Sequence, residues 1–346
     1  MRTMLWAYDE GFNPPSRRGP SGIHPRAPTY LAWMEAGGVF FTFDDVVRLS
    51  KTFKRMPCEV SDEFRGWNWS EPPILPPYDV KLYMSDVAGG FCPTGRIAYL
   101  RHVLRARERP HIRLTIGAFI HAIYHEASRA AKAIIYERGD ELSGAEFRDE
   151  FSYFGDGVLA RLSERYGELR PELKASIFRS LWGYAANTYA SALDRFRSRS
   201  PYMSVDGLAT MVVPMTVEYP VDGSLVGLSR TLRIDAVLLP AILVELKTRA
   251  IKHEHEIALA GYALAFESQY EVPVDYALII NLRFDRSWRD FKVYERIVRV
   301  SDALRDEFIE RRDRVMRIVE EGIDPGLPRK CSPYCPYIEV CRGRPC

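Results

Sequence analysis

Residues able to do chemistry concentrate in Arg233-Ile-Asp-Ala-Val-Leu-Leu-Pro-Ala-Ile-Leu-Val-Glu-Leu-Lys-Thr248, two apolar runs meeting at a turn near Pro240. Only Asp235, Glu245 and Lys247 break the apolar pattern between Ile234 and Lys247. A connection spanning Leu239 to Ala241 sets Asp235 opposite Glu245, and strand alternation puts Glu245 and Lys247 on one face with Val244 and Leu246 on the other. Two carboxylates on rigid strands suit a hard divalent cation such as Mg2+ or Mn2+, which takes further oxygens from water and phosphate. A lysine beside them can orient an attacking water or offset charge on a phosphate. The pattern is permissive, and a half-buried Glu245–Lys247 salt bridge with Asp235 as a turn residue satisfies it equally.

Upstream, Gly117-Ala-Phe-Ile-His121 lies in an apolar helix that could deliver an imidazole to the same strand face, although a histidine so placed more commonly belongs to a core. His125 and Glu126 follow, but His-x-x-x-His-Glu lacks the glutamate placement of the zinc-peptidase helices, which disfavours a peptidase. Downstream, a helix from Glu254 to Ser268 carries His255 and Tyr262, and Tyr262 is equally suited to packing or to touching substrate.

Four of the six cysteines lie in the last sixteen residues, at positions 331, 335, 341 and 346. Such crowding between prolines signals a metal site rather than a disulfide scaffold. The gaps of three, five and four residues match a zinc ribbon poorly. An iron-sulfur cluster drawing on distant segments matches at least as well. Cys92, in Phe91-Cys-Pro-Thr-Gly-Arg96, is then the natural remote ligand, and Cys58 a bystander.

The elements that must position these groups follow from periodicity. Residues 1 to 80 are punctuated by Pro-Pro pairs and read as an extension with little regular structure. Helical patterns cover Thr94 to Arg107, Thr115 to Arg138 with Thr115 as N-cap, and Gly144 to Phe196, the last reading as a lid or insertion. After Pro201, Met211–Glu218, Leu232–Leu238, Ile242–Thr248 and Tyr276–Asn281 read as strands, with a final helix from Ser301 to Glu321. The result is an α/β or α+β fold with a helical half before it, divided at 1–90, 91–200, 201–322 and 323–346.

The 346 residues are 47% hydrophobic and 27% charged, which excludes a disordered, collagen-like or membrane-embedded chain. The longest apolar run, Ala236 to Val244, is too short to span a bilayer, no signal-peptide pattern opens the chain, and a cytoplasmic location is expected. With 48 basic against 46 acidic residues, nucleic-acid contact requires local patches. Arg101, Arg105, Arg107, Arg109 and Arg113 form one candidate patch and Arg195, Arg197 and Arg199 another, a solvated helix face being the commoner meaning. Only nine of the basic residues are lysines, and the scarcity of thermolabile amides, four asparagines and one glutamine, points to a hot-growing source.

Taken together, Cys-Pro upstream, G-x-x-x-H in a helix, a strand with Asp, then E-x-K, a Tyr-bearing helix and a terminal cysteine group resemble the RecB-type nucleases of the PD-(D/E)xK superfamily. Over about residues 90 to 346 the chain is similar in particular to the iron-sulfur exonuclease of the CRISPR adaptation machinery, the Cas-four group in its archaeal subtype I-A form. The resemblance implies a restriction-endonuclease-like core and Mg2+- or Mn2+-dependent cleavage of single-stranded or frayed DNA, trimming fragments beside the integrase subunits. It implies His121, Asp235 and Glu245 as metal ligands, Asp235, Glu245 and Lys247 as catalytic residues, and Tyr262 as a substrate contact. A [4Fe-4S] cluster would fall on Cys92, Cys331, Cys335 and Cys341. Two departures stand out: the family's glutamine four residues before the helix tyrosine is Ala258, and Cys346 could replace Cys341. A repair nuclease outside CRISPR and a catalytically silent iron-sulfur DNA-binding scaffold are the rival readings, the intact Asp235, Glu245 and Lys247 arguing against the second.

Overall fold

Local sequence signals account for most of the elements in the computed structural model, which describes residues 34–35 and 38–343 except 110 and 239. A two-residue strand β1 (Met34–Glu35) precedes helix α1 (Phe43–Phe53), whose start is fixed where the Thr42 N–H and hydroxyl both donate to Asp45, at 2.9 and 3.0 Å. Short helices α2 (Met84–Ala88) and α3 (Arg96–Ala98) follow, and α3 runs into a π-helical turn over Tyr99–Val103. Three long helices come next: α4 (Ile112–Arg138), α5 (Gly144–Arg165) and α6 (Pro171–Arg199). His111 caps α4 by accepting the Arg113 N–H at 3.1 Å, one turn before the expected Thr115. Ser143 with Glu146 caps α5, and Pro171 opens α6 where its missing N–H costs nothing.

Helix α7 (Val205–Val212) leads into β2 (Met215–Val221), β3 (Leu232–Leu238) and β4 (Ile242–Lys247), then α8 (His253–Tyr270), β5 (Tyr276–Phe284), β6 (Phe291–Arg299), α9 (Asp302–Glu321) and the short α10 (Ile338–Cys341). The described strands form one six-stranded sheet in the order β1-β6-β5-β4-β3-β2. All pairs are antiparallel except β4 and β5, which α8 joins as a crossover. Fold class is therefore mixed α/β.

Helices cover both faces of the sheet. Phe119 and Ile120 of α4, Phe147 and Phe151 of α5, and Leu181 of α6 pack with Val244, Leu246 and Ile280 into one core. Ile257 and Ala260 of α8 with Phe308 and Met316 of α9 cover Leu243 and Ile279 on the other. The helices α5 and α6 are thus core walls rather than a lid: Phe147, Phe151, Ile177 and Leu181 are all 0% exposed. No helix among the described residues is long and apolar enough to cross a membrane.

Two expectations change on physical grounds, and one strand lies outside them. The region before residue 90 holds α1 and supplies Phe40 and Phe41 to one core and Ile74 and Leu82 to the other, contacts made by apolar residues too scattered to show a period. The run starting at Met211 begins as helix, because Ser204 caps α7 and Leu208, Ala209 and Val212 bury at helical spacing, so β2 starts only at Met215. Strand β6 escapes a β-pattern reading because its charged side chains are paired internally: Glu295 holds Arg48 at 2.7 Å and Arg296 holds Glu256 at 2.9 Å.

Candidate metal centre

The site grows from a kink in the β2–β3 ribbon. The two strands keep one register from Met215↔Leu238 to Val221↔Leu232, yet the pairing is interrupted where Glu218 and Asp235 would face each other. Met215, Ala236 and Leu238 pack into the core under α4, whereas Val221, Leu232 and Ile234 pack into the core under α8. The ribbon therefore changes the face it buries at this point, and Glu218 adopts the left-handed conformation there, with φ of 47°. Asp235 sits at the pivot. On β3 and β4 the ladder runs from Leu238↔Ile242 to Ala236↔Val244, so the next step sets Asp235 beside Glu245. The ladder ends there because the Asp235 carboxylate takes over as acceptor: the Leu246 N–H donates to its Oδ2 at 2.8 Å.

Four predicted site residues come together around this pivot. His121 reaches down from α4 to place Nδ1 3.2 Å from Asp235 Oδ1. Gly117, one turn earlier, explains the G-x-x-x-H spacing, since a Cβ there would lie 3.3 Å from Thr248 Oγ1 and hold the helix away from the end of β4. The Lys247 ammonium donates to the Glu245 carboxylate on the same strand face. Burial would raise the Asp235 carboxyl, but the His121 imidazole, the Lys247 ammonium and the Leu246 N–H outweigh it and hold it below the usual carboxylate range. Burial raises the Glu245 carboxyl despite Lys247. For Lys247, burial would lower the ammonium, but Glu245 and Asp235 prevail and raise it.

Tyr262 is half-buried on α8 near Glu245 and Asp235, and burial lifts its hydroxyl far above the phenol range. Ala258, one turn before it, is buried in the α8 core. His255 lies against Lys247, Lys252 and Arg249, and burial pushes it down to about 3, so it stays neutral and accepts the Lys252 N–H at 3.2 Å.

Sequence reasoning passed over Asn281 and Glu218 at this centre and weighed His125 only as part of a peptidase pattern. Asn281, 0% exposed and paired in register with Lys247, donates through Nδ2 to the carbonyls of Lys247 and Arg249 at 3.0 and 2.7 Å, fixing the end of β4. His125 and Glu218 meet through Nδ1 and Oε1 at 3.3 Å. Among the described residues, His121, His125 and Asp235 form a group whose candidate ligand atoms all lie within 4.8 Å of one another. An asparagine inside an apolar strand is a signal visible in sequence, because a buried amide requires partners.

The cysteines gather at a second place. Cys92, Cys335 and Cys341 belong to one small apolar cluster with Ile97, Leu100 and Tyr337. Burial raises the Cys335 thiol, and the neighbouring Cys92, Cys341 and Cys331 raise it further. Cys341 also accepts from Arg96 at 3.2 Å. Cys58 lies elsewhere, against Asp275 and Arg299, and Cys346 lies outside the described residues. Of the first arginine cluster, several members hold this segment in place. Arg101 donates to the Tyr337 hydroxyl at 3.3 Å, Arg109 pairs with Glu339 at 2.8 Å, and Arg113 donates to the Tyr334 hydroxyl at 2.7 Å. In the second, Arg195 and Arg199 pair with Asp44 at 2.8 and 3.1 Å. A different arginine-rich place is a cleft of about 660 Å³ lined by Arg170, Arg179, Arg286 and Arg289 around Trp288.

The profile described as CRISPR-associated exonuclease Csa1 matches residues 39–344. The chain belongs to the Csa1 family. A protein of Saccharolobus solfataricus named CRISPR-associated exonuclease Csa1 is 37% identical over 305 residues, covering 88% of this chain and 99% of its own length. One of the same name from Thermoproteus tenax is 32% identical over 304 residues, covering 87% and 99%. No solved structure matches the chain. The Csa1 match takes in the helices α1 and α4 to α7 along with strands β2 to β6 and the cysteine segment, so the helical half belongs to the family's common body.

Proposed function

We propose that this chain is a divalent-metal-dependent DNA exonuclease that hydrolyses single-stranded or frayed ends and trims fragments for CRISPR adaptation beside the integrase subunits. The observation that carries the reading is the convergence of His121, Asp235, Glu245 and Lys247 at the β2–β3 kink, in a chain whose relatives are named exonucleases. The residues fit a divalent ion: one imidazole and two carboxylates offer hard and borderline donors, and the His125 Nε2 close by is buried without a hydrogen-bond partner among the described residues. The restriction-endonuclease-like core is part of the proposal, supported by the mixed sheet and the placement of Asp and E-x-K on β3 and β4.

A bound divalent ion supplies Lewis-acid chemistry, lowering the pKa of water and neutralising phosphate charge. The chain's own groups do the rest. Asp235 is held in place by the Leu246 N–H and the His121 ring, so the donors are preorganised. Lys247 donates a hydrogen bond to the scissile phosphate. Tyr262, beside both carboxylates, packs against the adjoining nucleotide. Asn281 keeps the Lys247 backbone fixed while the charge on the substrate changes.

A [4Fe-4S] cluster held by Cys92, Cys331, Cys335 and Cys341 belongs to the same proposal. The fit rests on the thiols of Cys92, Cys335 and Cys341 gathered against an apolar wall of Ile97, Leu100 and Tyr337, with the exposed Cys331 on the same segment as Cys335 and Cys341. Such a group supplies structural cross-linking, since phosphodiester hydrolysis transfers no electron. End-labelled single-stranded DNA incubated with Mn2+, Mg2+ or chelator tests the activity. Shortening of the strand with metal, absent with chelator and in Asp235→Ala, is expected; equal activity in Asp235→Ala refutes the assignment.

A further inference from the structure

His125 stands one helical turn beyond His121 on α4, so both rings project from the same side of the helix. Beneath them, Glu218 of β2 and Asp235 of β3 occupy facing positions at the kink. The result is two imidazole–carboxylate pairs side by side: His121 Nδ1 with Asp235 Oδ1 at 3.2 Å, and His125 Nδ1 with Glu218 Oε1 at 3.3 Å. His125 is only 8% exposed, and its Nε2 is buried with no hydrogen-bond partner among the described residues. A buried ring nitrogen left unpaired is costly, and native interiors rarely tolerate one without a ligand or a role. A carboxylate on the opposite nitrogen is the arrangement that fixes the tautomer of a metal-binding histidine, leaving the far nitrogen's lone pair free. The ligand atoms of His121, His125 and Asp235 already lie within 4.8 Å of one another.

We propose that His125 is a direct ligand of the divalent ion through Nε2, with Glu218 holding its Nδ1 proton, and that this second imidazole makes the centre prefer Mn2+ over Mg2+. The inference rests on the metal-dependent reading above. Its chemical basis is donor type: Mg2+ favours carboxylate, carbonyl and water oxygens and keeps much of its hydration shell, whereas imidazole nitrogen suits later first-row ions, along which Mn2+ accepts nitrogen more readily than Mg2+. Glu218 then acts as a positioning residue, and its left-handed φ of 47° is the backbone conformation from which its carboxylate meets the ring.

Calorimetric titration of the full-length protein with Mn2+ and with Mg2+, alongside pulsed EPR of the bound Mn2+, separates the possibilities. The wild-type protein should bind Mn2+ more tightly than Mg2+ and show electron spin echo modulation from two imidazole nitrogens. His125→Phe, which keeps the ring volume, should lose about tenfold or more in Mn2+ affinity with a much smaller change for Mg2+, and its modulation should fall to one nitrogen; Glu218→Gln should weaken Mn2+ by a smaller factor. Mn2+ affinity and two-nitrogen modulation unchanged in His125→Phe, while Asp235→Ala loses binding, would overturn the role of His125 and leave the metal site standing. No loss in either variant, or no Mn2+ binding by the wild type, would overturn both. His125→Ala, checked for folding by circular dichroism, provides an independent second substitution with the same expected loss.

Discussion

At the scale of single residues, the centre is governed by how carboxylates, a lysine and histidines share a small volume. Lys247 is the counter-ion of Glu245, in the proposed mechanism it donates to the substrate phosphate, and its ammonium is no metal ligand. Lys247→Ala should therefore lower DNA cleavage by about a hundredfold or more, the usual cost of losing one preorganised donor to a reacting phosphate. Metal affinity, measured by calorimetry, should stay within a few-fold of the wild type. A loss of affinity equal to that of Asp235→Ala would contradict this division of roles.

Among the elements, the decisive contact is between α4 and the end of β4. Gly117 allows the helix to pass Thr248 closely, and that approach sets the height of His121 over Asp235. Gly117→Ala places a methyl group 3.3 Å from Thr248 Oγ1, so the helix or the strand end must yield by a few tenths of an ångström. Cleavage should fall by about tenfold, because displacement of positioned groups by even 1 Å can cost a hundredfold. The thermal midpoint should change little, since alanine favours the helix by roughly 1 kcal/mol over glycine. Adding Thr248→Ala removes the opposing oxygen and should restore much of the rate; a double variant as slow as the single one would show that the spacing is not what positions His121.

For the whole molecule, long-range polar contacts join segments far apart in sequence. Glu267 at the end of α8 is 0% exposed and accepts from both ends of the Arg305 guanidinium at 2.6 and 2.8 Å, from Arg65 at 2.9 Å, and from the Gly66 and Val274 N–H groups at 2.8 and 2.9 Å. Glu267→Ala leaves the fully buried Arg305 uncompensated and should destabilise the fold by about 3–5 kcal/mol, read from urea unfolding. The cysteine segment is held by Arg101 and Arg109 before α4 and by Arg113 in its first turn, and it packs against Cys92. Cys92→Ser should therefore abolish the visible absorption of anaerobically purified protein and lower its thermal midpoint, while the segment stays docked. Arg113→Ala combined with Cys92→Ser should release it, seen as rapid amide exchange over residues 331–341. Zinc in place of iron and sulfide, with Cys92→Ser as stable as the parent, would refute the cluster.

Period and alternation by themselves determined much of this protein: β3 over Leu232–Leu238, β4 within a residue of its end, the facing of Asp235 and Glu245, and the apolar helix that carries His121. These are local properties, set by spacing along one or two adjacent segments. The kink at Glu218 and Asp235, the buried Nε2 of His125 and the amide of Asn281 depend on contacts between segments tens of residues apart, and a single chain read in order carries no distance between such segments. The arginines of residues 101–113 illustrate the difference: their clustering is plain in sequence, but only the folded chain places Tyr334, Tyr337 and Glu339 against Arg113, Arg101 and Arg109 and enlists those three in a clasp. Residues 39–90 followed the same logic, because apolar side chains without a period reveal burial only when two cores already exist to receive them.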